Sequence, residues 1–137
     1  MKRLKILLRL IGVVQIVLGL LYLFAPLNFL ALLGHSVPEA DIAYPLGMLA
    51  ARFLAYGVGM FFIARAPEKY GFWINNMILI QAVDLAAGIF YTATGAVGLA
   101  LSAFPMFNAT LFIVLLWAWR PRGETAVSTT KTLGIVE

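Results

Sequence analysis

Residues 46–91 decide the fold, because they hold two long apolar stretches separated by a short charged one. In order they read LGMLAARFLAYGVGMFFIA (46–64), RAPEKYG (65–71) and FWINNMILIQAVDLAAGIFY (72–91). Each apolar stretch has roughly the 20 residues that a helix needs to cross the hydrocarbon core of a bilayer. Pro67 in the charged stretch lacks the backbone N–H that would continue the preceding helix. The pattern therefore predicts two membrane-spanning helices joined by a tight turn.

Two further apolar stretches of this kind, residues 6–24 and 98–119, flank the pair. The chain of 137 residues is 63% hydrophobic and only 12% charged, whereas a soluble domain is about 45–50% apolar and about 25% charged. This composition excludes a soluble globular enzyme and a disordered chain, and no stretch alternates as the strands of a membrane barrel do. The predicted fold class is an all-α integral membrane four-helix bundle over residues 1–119, followed by a polar, mobile tail over residues 120–137.

The connections predict how the spans are arranged. The turns at residues 65–71 and 92–97 are short, so spans two, three and four are expected to be antiparallel neighbours. The first loop is longer, and its apolar residues 26–33 are too few to span, so we interpret them as an interfacial or re-entrant segment. Ser36 and Glu39 then match the S-x-x-E capping box, which predicts a helical turn before the second span.

The positive charges predict the orientation, because nine of the ten Lys and Arg residues fall on one side of the four-span threading. These nine are Lys2, Arg3, Lys5, Arg9, Arg65, Lys69, Arg120, Arg122 and Lys131. The loops on the other side carry His35, Glu39 and Asp41. By the positive-inside rule we expect both termini to be cytoplasmic. The net charge of +4 is therefore explained by residues that orient the chain in the lipid bilayer, and it does not point to nucleic acid as a partner.

Two ionisable residues lie inside the predicted spans, Arg52 in the second and Asp84 in the third. Both are roughly 10–15 Å from the outer boundary at about 1.5 Å per residue, and each alone would cost about 2.5–3.5 kcal/mol in the membrane. We therefore expect them to pair, directly or through a water molecule. The pair either only fixes helix register or takes part in binding or proton handling, since an ionisable residue inside a membrane marks a functional site by default.

Helical spacing adds further residues to this level of the membrane. Gln81 and Tyr91 share a stripe with Asp84, and Tyr56 shares one with Arg52. One polar side chain in each of the remaining spans completes a polar layer, for which interhelical hydrogen bonding is the preferred explanation. These two residues are Gln15 and Asn108.

Small residues also recur at helical spacing, and we interpret them as packing surfaces or a dimer face. They are Gly12 and Gly19 in the first span and Ala51, Ala55 and Gly59 in the second.

Three segments carry a resemblance to a known family. They are Gly12 with LGL at 18–20 and Ala25-Pro26 in the first span, ARFLAYG at 51–57, and QAVD at 81–84. With these segments the region 1–120 resembles the small four-span bacterial membrane proteins of the BphX-like and DoxX-like group. The resemblance implies a four-helix membrane bundle. Some DoxX-like members are associated with quinone-linked or redox complexes, and BphX-like members occur with aromatic-degradation functions.

The leading functional hypothesis is an accessory membrane protein that binds a small amphipathic ligand such as a quinone, a lipid or an aromatic compound. The expected cavity is lined by Arg52, Asp84, Tyr56, Gln81 and Tyr91. Arg52 anchors a polar head, and Asp84 holds Arg52 in place. No catalytic residue, metal site or cofactor is assigned beyond a bound quinone or lipid, and the expected partners are a second copy of the chain or a membrane redox protein.

Two other classes of function remain open. A small dimeric proton-coupled exporter would use Asp84 as its proton carrier, although a neighbouring Arg52 should keep the carboxylate charged and so hinder proton exchange. A membrane isomerase would need an acid and base pair near the operating pH. Since the bundle offers only Asp84 and the tyrosines for that role, an enzyme is the least favoured reading.

Overall fold

The computed structural model describes residues 1–36 and 38–122, and this part of the chain forms helices and turns without a strand. The helices are α1 (Lys2–Phe24), α2 (Pro26–Leu32), α3 (Ala43–Ile63), α4 (Gly71–Ala93) and α5 (Leu99–Trp119). All but α2 are long and apolar enough to cross a membrane, so the predicted all-α fold with four spans is confirmed. Most of the predicted polar tail, residues 123–137, lies outside the described residues.

The first span begins earlier than its apolar stretch. α1 starts at Lys2, because Lys and Arg are themselves good helix formers and because Leu4, Leu7 and Leu8 between the cations are buried. The basic N-terminal residues therefore belong to the helix and do not form a separate tail.

The first loop contains the short helix α2, which does not span. Pro26 stands in its first turn, where proline is favoured, and Gly34 after it has a φ of 89°, a left-handed conformation that glycine adopts without strain. A 3-10 turn at Ala40–Ile42 provides the predicted helical turn before α3, but its N-cap residue is Glu39 and no side chain caps it. The predicted capping box is therefore wrong, because the turn begins too late for Ser36 to reach its free N–H groups.

α1 and α3 form the most extensive helix pair, and glycines bring their backbones together. A Cβ atom on Gly57 would lie 2.6 Å from Cγ1 of Ile16 and 3.1 Å from the carbonyl oxygen of Gly12. A Cβ atom on Gly19 would likewise lie 2.8 Å from Cγ of Leu54. The prediction that Gly12 and Gly19 are packing positions is confirmed.

α4 and α5 form the second pair. Gly88 faces Met106, whose Cγ atom would lie 2.6 Å from a Cβ atom on this glycine. One turn further along α4, the Thr92 hydroxyl donates a hydrogen bond over 2.7 Å to the hydroxyl oxygen of Ser102, which is buried. The expectation that spans three and four are antiparallel neighbours is therefore confirmed.

α3 and α4, in contrast, are neighbours across the turn but pack only sparsely on each other, so the extensive packing expected from the short turn is not found. Each packs on its own partner, α1 or α5, and only sparsely on the other. The two pairs meet around an apolar core near the 65–71 turn, where Leu8, Met60, Ile74 and Leu116 are fully buried. A short turn joins only the ends of two helices. Beyond it α3 and α4 border an opening that we call the α3–α4 cleft, and we call the end with the turn the basic end.

Candidate ligand-binding cleft

The α3–α4 cleft holds an open, apolar groove of about 630 Å³ near the basic end. The groove runs along one face of α3 and meets the start of α4. Its lining residues are Ala55, Tyr56, Val58, Gly59, Met60, Phe62, Ile63, Tyr70 and Trp73. Sites for small molecules are commonly about 300–1,000 Å³ in volume and mostly apolar and aromatic. The groove is therefore of a size and chemistry that suit a small apolar or aromatic group.

Arg52 and Asp84 lie on the helix faces that border this groove, further from the basic end. Arg52 precedes Gly59 by seven residues and Asp84 follows Trp73 by eleven, which is close to two and three whole helical turns. Each ionisable residue is nine residues from the far end of its helix, or about 14 Å. Both side chains are exposed. Helical spacing therefore places them on the groove-lining sides of α3 and α4, at a matching depth.

The two residues do not form the direct ion pair that their sequence positions predict. Within residues 1–36 and 38–122, no carboxylate oxygen lies within 4.0 Å of a Lys or Arg nitrogen. This lack of a direct pair agrees with the sparse packing of α3 on α4. A pair bridged by water stays a prediction.

Only one of the other predicted ligand-binding residues, Tyr56, lines the groove. Asn76 Nδ2 donates a hydrogen bond over 2.9 Å to the Tyr56 hydroxyl and so joins α3 to α4. Gln81 is only 4% exposed, and its Nε2 lies 3.8 Å from Sδ of Met77, which places it in the packed interior. Tyr91 is exposed near the far end of α4. Of the five predicted ligand-binding residues, the groove lining therefore contains only Tyr56.

Gln15 and Asn108 do not complete a connected polar layer. Gln15 is 5% exposed and lies among the buried residues of α1, and Asn108 is half-buried on α5. No hydrogen bond between described side chains links either of them to Arg52 or Asp84. The spans share these polar residues at one depth, but hydrogen bonds do not connect the four described side chains into a layer.

The small residues of α3 have a different environment from the one that their spacing predicts. Ala51 and Ala55 are exposed, and a Cβ atom on Gly59 would meet nothing within 4 Å. They are not a packing surface within the chain, because α3 turns the opposite face, with Gly57, towards α1. These residues instead form an exposed surface with small side chains, which another molecule can approach closely.

The aromatic wall on α4 was not among the predicted site residues. Tyr70 and Trp73 stand at the start of α4, three residues apart and therefore on one helix face. A signal was present in the sequence, because Trp73 and Asp84 are eleven residues apart and so in phase. That signal is usable only once the groove on the opposite helix is known.

Cationic side chains make contacts between the helices at the basic end. Lys5 Nζ donates a hydrogen bond over 3.2 Å to the backbone carbonyl of Arg65, which ties the start of α1 to the end of α3. A nitrogen of the Arg120 guanidinium donates over 2.8 Å to Oδ1 of Asn75, and the same guanidinium lies 3.6 Å from the ring centroid of Trp117. Apart from Arg52, the described Lys and Arg residues lie towards this end, in the first part of α1, in the 65–71 turn and after α5.

Comparison with models of protein families, with curated proteins and with solved structures gives no match for this chain. The cleft is therefore interpreted from its own geometry and chemistry. The resemblance to the BphX-like and DoxX-like group stays a prediction.

Proposed function

We propose that the protein is an accessory membrane protein that binds a small amphipathic ligand in the α3–α4 cleft, as part of a redox or catabolic membrane system. The ligand is a quinone, a lipid or an aromatic compound, which also agrees with the proposed relationship to the BphX-like and DoxX-like proteins. The observation that carries the proposal is the continuity between an aromatic-walled groove and a membrane-embedded arginine on the same helix face. No residue is given a catalytic role.

The groove supplies the apolar part of the binding site. Tyr56, Tyr70 and Trp73 offer aromatic surfaces along its walls, and such surfaces favour stacked or edge-on contacts with another ring. Gly59 leaves its part of the α3 wall free of side-chain atoms. A ring or an acyl chain can therefore lie directly against the helix backbone.

Arg52 supplies the polar part. It stands eleven residues from Ile63, which closes the groove at the basic end, or about 16 Å along the helix. A guanidinium has five N–H donors and no acceptor, and inside a membrane an unpaired cation is costly. A carbonyl or phosphate oxygen of a bound ligand would satisfy these donors, so the favoured ligand has its polar head beside Arg52 and its apolar part in the groove.

The proposed setting is the inner membrane of a bacterium, with both termini in the cytoplasm. The clustering of the described cations at one end supports this orientation, because loops rich in Lys and Arg remain cytoplasmic. The chain contains no cysteine, so single cysteines can report sidedness. We expect Lys69→Cys to be labelled by a membrane-impermeant maleimide only after the cells are opened, and Ser36→Cys to be labelled on intact spheroplasts. The reverse labelling would contradict the orientation.

Filling the groove tests the binding proposal. Gly59→Leu places a side chain in open space inside the groove, so it should block binding without disturbing the helix packing. An alkyl-substituted benzoquinone serves as the probe, and quenching of Trp73 fluorescence reports binding in a background with Trp117→Phe and Trp119→Phe. We expect Gly59→Leu and Arg52→Ala to weaken binding at least about tenfold, which is about 1.4 kcal/mol, and Arg52→Lys to retain part of it.

A matched control is available on the same helix. Gly47 also has open space around its Cβ position but lies outside the groove lining, so Gly47→Leu should bind the benzoquinone as the parent does. If Gly59→Leu and Arg52→Ala also bind like the parent, the proposed site is wrong. An acyl-chain probe run in parallel distinguishes a lipid from a quinone or aromatic ligand.

A proton-coupled exporter is the second candidate, and one observation favours it. Asp84 forms no ion pair with Arg52 within 4.0 Å, which weakens the argument against proton exchange at this carboxylate within a single chain. In sealed vesicles, a pH gradient should then drive export of a cationic substrate, and Asp84→Asn should abolish it. Unchanged flux in this variant would remove the candidate.

A further inference from the structure

We infer that two copies of this chain associate face to face in the membrane, with Arg52 of each copy paired with Asp84 of the other. The inference goes beyond the proposed ligand, and it does not depend on what occupies the groove. It begins with two charges in the single chain: Arg52 and Asp84 are both exposed, and they form no ion pair with each other within 4.0 Å.

Two unpaired charges inside a membrane are costly. Charged side chains within membrane spans are rare and almost always pair with one another or line a polar cavity. Arg52 and Asp84 lie nine residues inside the far ends of α3 and α4, well within the apolar part of both helices. A partner that brings one carboxylate and one guanidinium to this depth would neutralise both.

A second copy of the chain meets this requirement by symmetry. In a twofold dimer, residue i contacts residue j of the partner and residue j contacts residue i. When the twofold axis is parallel to the membrane normal, each residue keeps its depth. Because Arg52 and Asp84 have the same depth on different helices, one rotation places both in front of their counterparts and forms two ion pairs at once.

The surface around Arg52 also suits close approach by a helix. Ala51 and Ala55 lie beside Arg52 on α3, further from the basic end than Gly59, and both are exposed within the single chain. Small residues of this kind let helix backbones come together in membranes. The charges of Arg52 and Asp84 indicate that a second copy of the chain binds here, and the small side chains leave room for its helices.

The dimer also completes the ligand site described above. Within one chain Asp84 does not hold Arg52 in place, whereas in the dimer the carboxylate of the second copy does so. The two ion pairs would close the clefts at their outer part, and the aromatic grooves near the basic end would remain available to ligands. Asp84 would therefore be a positioning residue that acts across the interface.

Charge exchange tests the inference. Arg52→Asp gives a chain with two carboxylates at this level, and Asp84→Arg gives a chain with two arginines. Each should fail to form a homodimer in lipid nanodiscs, because both of its contacts become repulsive. Co-expressed with different affinity tags, the two variants should form a heterodimer that equals the parent dimer in yield, since each contact again joins an aspartate to an arginine.

The mixed pair distinguishes a contact between chains from one within a chain. Neither single variant can form an internal pair, so their association can only come from contacts between copies, and a variant that misfolds would not be rescued. The exposed Lys69 at the turn provides a control for charge, and Lys69→Asp should dimerise like the parent.

Three results would overturn the inference. The first is a parent protein that is monomeric in nanodiscs, and the second is an Arg52→Asp variant that dimerises as well as the parent. The third is a double variant with Arg52→Asp and Asp84→Arg that is folded and monomeric while the two single variants fail to associate, which would assign the pair to a single chain. Binding of the benzoquinone by the monomer would survive any of these results, so failure of the dimer is distinguishable from failure of the ligand site.

Discussion

The two faces of α3 have different environments, although both carry small residues. One face, with Gly57, meets α1 so closely that the backbones touch across Gly12. The other face, with Ala55 and Gly59, is left open along the α3–α4 cleft. Small residues on a membrane helix therefore show where another surface can approach, and they do not tell which surface it is. The covered face belongs to the fold, and the open face is where we place the ligand and the second copy.

The largest expected effect comes from adding a side chain to the covered face. Gly57→Leu would place its Cβ atom 2.6 Å from Ile16 and against the backbone of α1, so the two helices must separate. Overpacking of this kind costs about 1–3 kcal/mol, and the rigid backbone contact argues for the upper end. Gly59→Leu, two residues away on the open face, should change stability by less than about 1 kcal/mol and in the favourable direction, because glycine is a poor helix former. Unfolding in detergent followed by circular dichroism measures both, and equal effects would contradict the difference between the two faces.

The second effect concerns the other helix pair. Thr92→Val and Ser102→Ala remove the hydrogen bond that joins α4 to α5, and interhelical hydrogen bonds in membranes are worth about 0.6–2 kcal/mol. A double-mutant cycle should give a coupling energy in this range. Thr110→Val is the matched control, because the Thr110 hydroxyl donates only to the Met106 carbonyl of its own helix. A coupling energy of zero would mean that side-chain packing, such as the contact of Gly88 with Met106, holds the pair without help from this hydrogen bond.

The number and type of the spans could be predicted from the sequence, because they follow from the length of the apolar runs. Each of the four stretches is close to the roughly 20 residues that a bilayer requires. An apolar run of this length can adopt few other structures. The glycines of α1 could be recognised for a similar reason. Gly12 and Gly19 are seven residues apart, about two turns, and therefore occupy a single face.

The choice of helix partners could not be predicted, and the site depends on it. The short turn at 65–71 was expected to hold spans two and three together, but a turn restrains only the helix ends, and side-chain packing decides the rest. Arg52 and Asp84 could be placed at a common depth by counting residues, since the rise of a helix is fixed. Whether they touch depends on the distance between α3 and α4, which no local pattern encodes.

A third and smaller effect is expected at the base of the cleft. Tyr56→Phe removes the hydroxyl that accepts the hydrogen bond from Asn76, which joins the two walls across the opening. A hydrogen bond of this type contributes about 0.5–1.5 kcal/mol, and its loss should also speed amide hydrogen exchange in the first turns of α4. Tyr91→Phe is the control, since Tyr91 is exposed near the far end. If both variants have the same stability and the same amide exchange rates, the core residues, and not this hydrogen bond, hold α3 and α4 in place.

The smallest effect is expected at the basic end, where the two helix pairs already share a core. Arg120→Gln removes the hydrogen bond to Asn75 and the contact with the face of Trp117. Cation–π contacts at accessible sites contribute about 0.5–1 kcal/mol, and hydrogen bonds that remain exposed add little because water replaces them. Arg122→Gln, which changes the charge equally at an exposed neighbour, isolates the part due to charge alone. If Arg120→Gln lowers stability by much more than about 1 kcal/mol relative to this control, the end contacts hold the two pairs together more than the core does, and the cleft should then widen when they are removed.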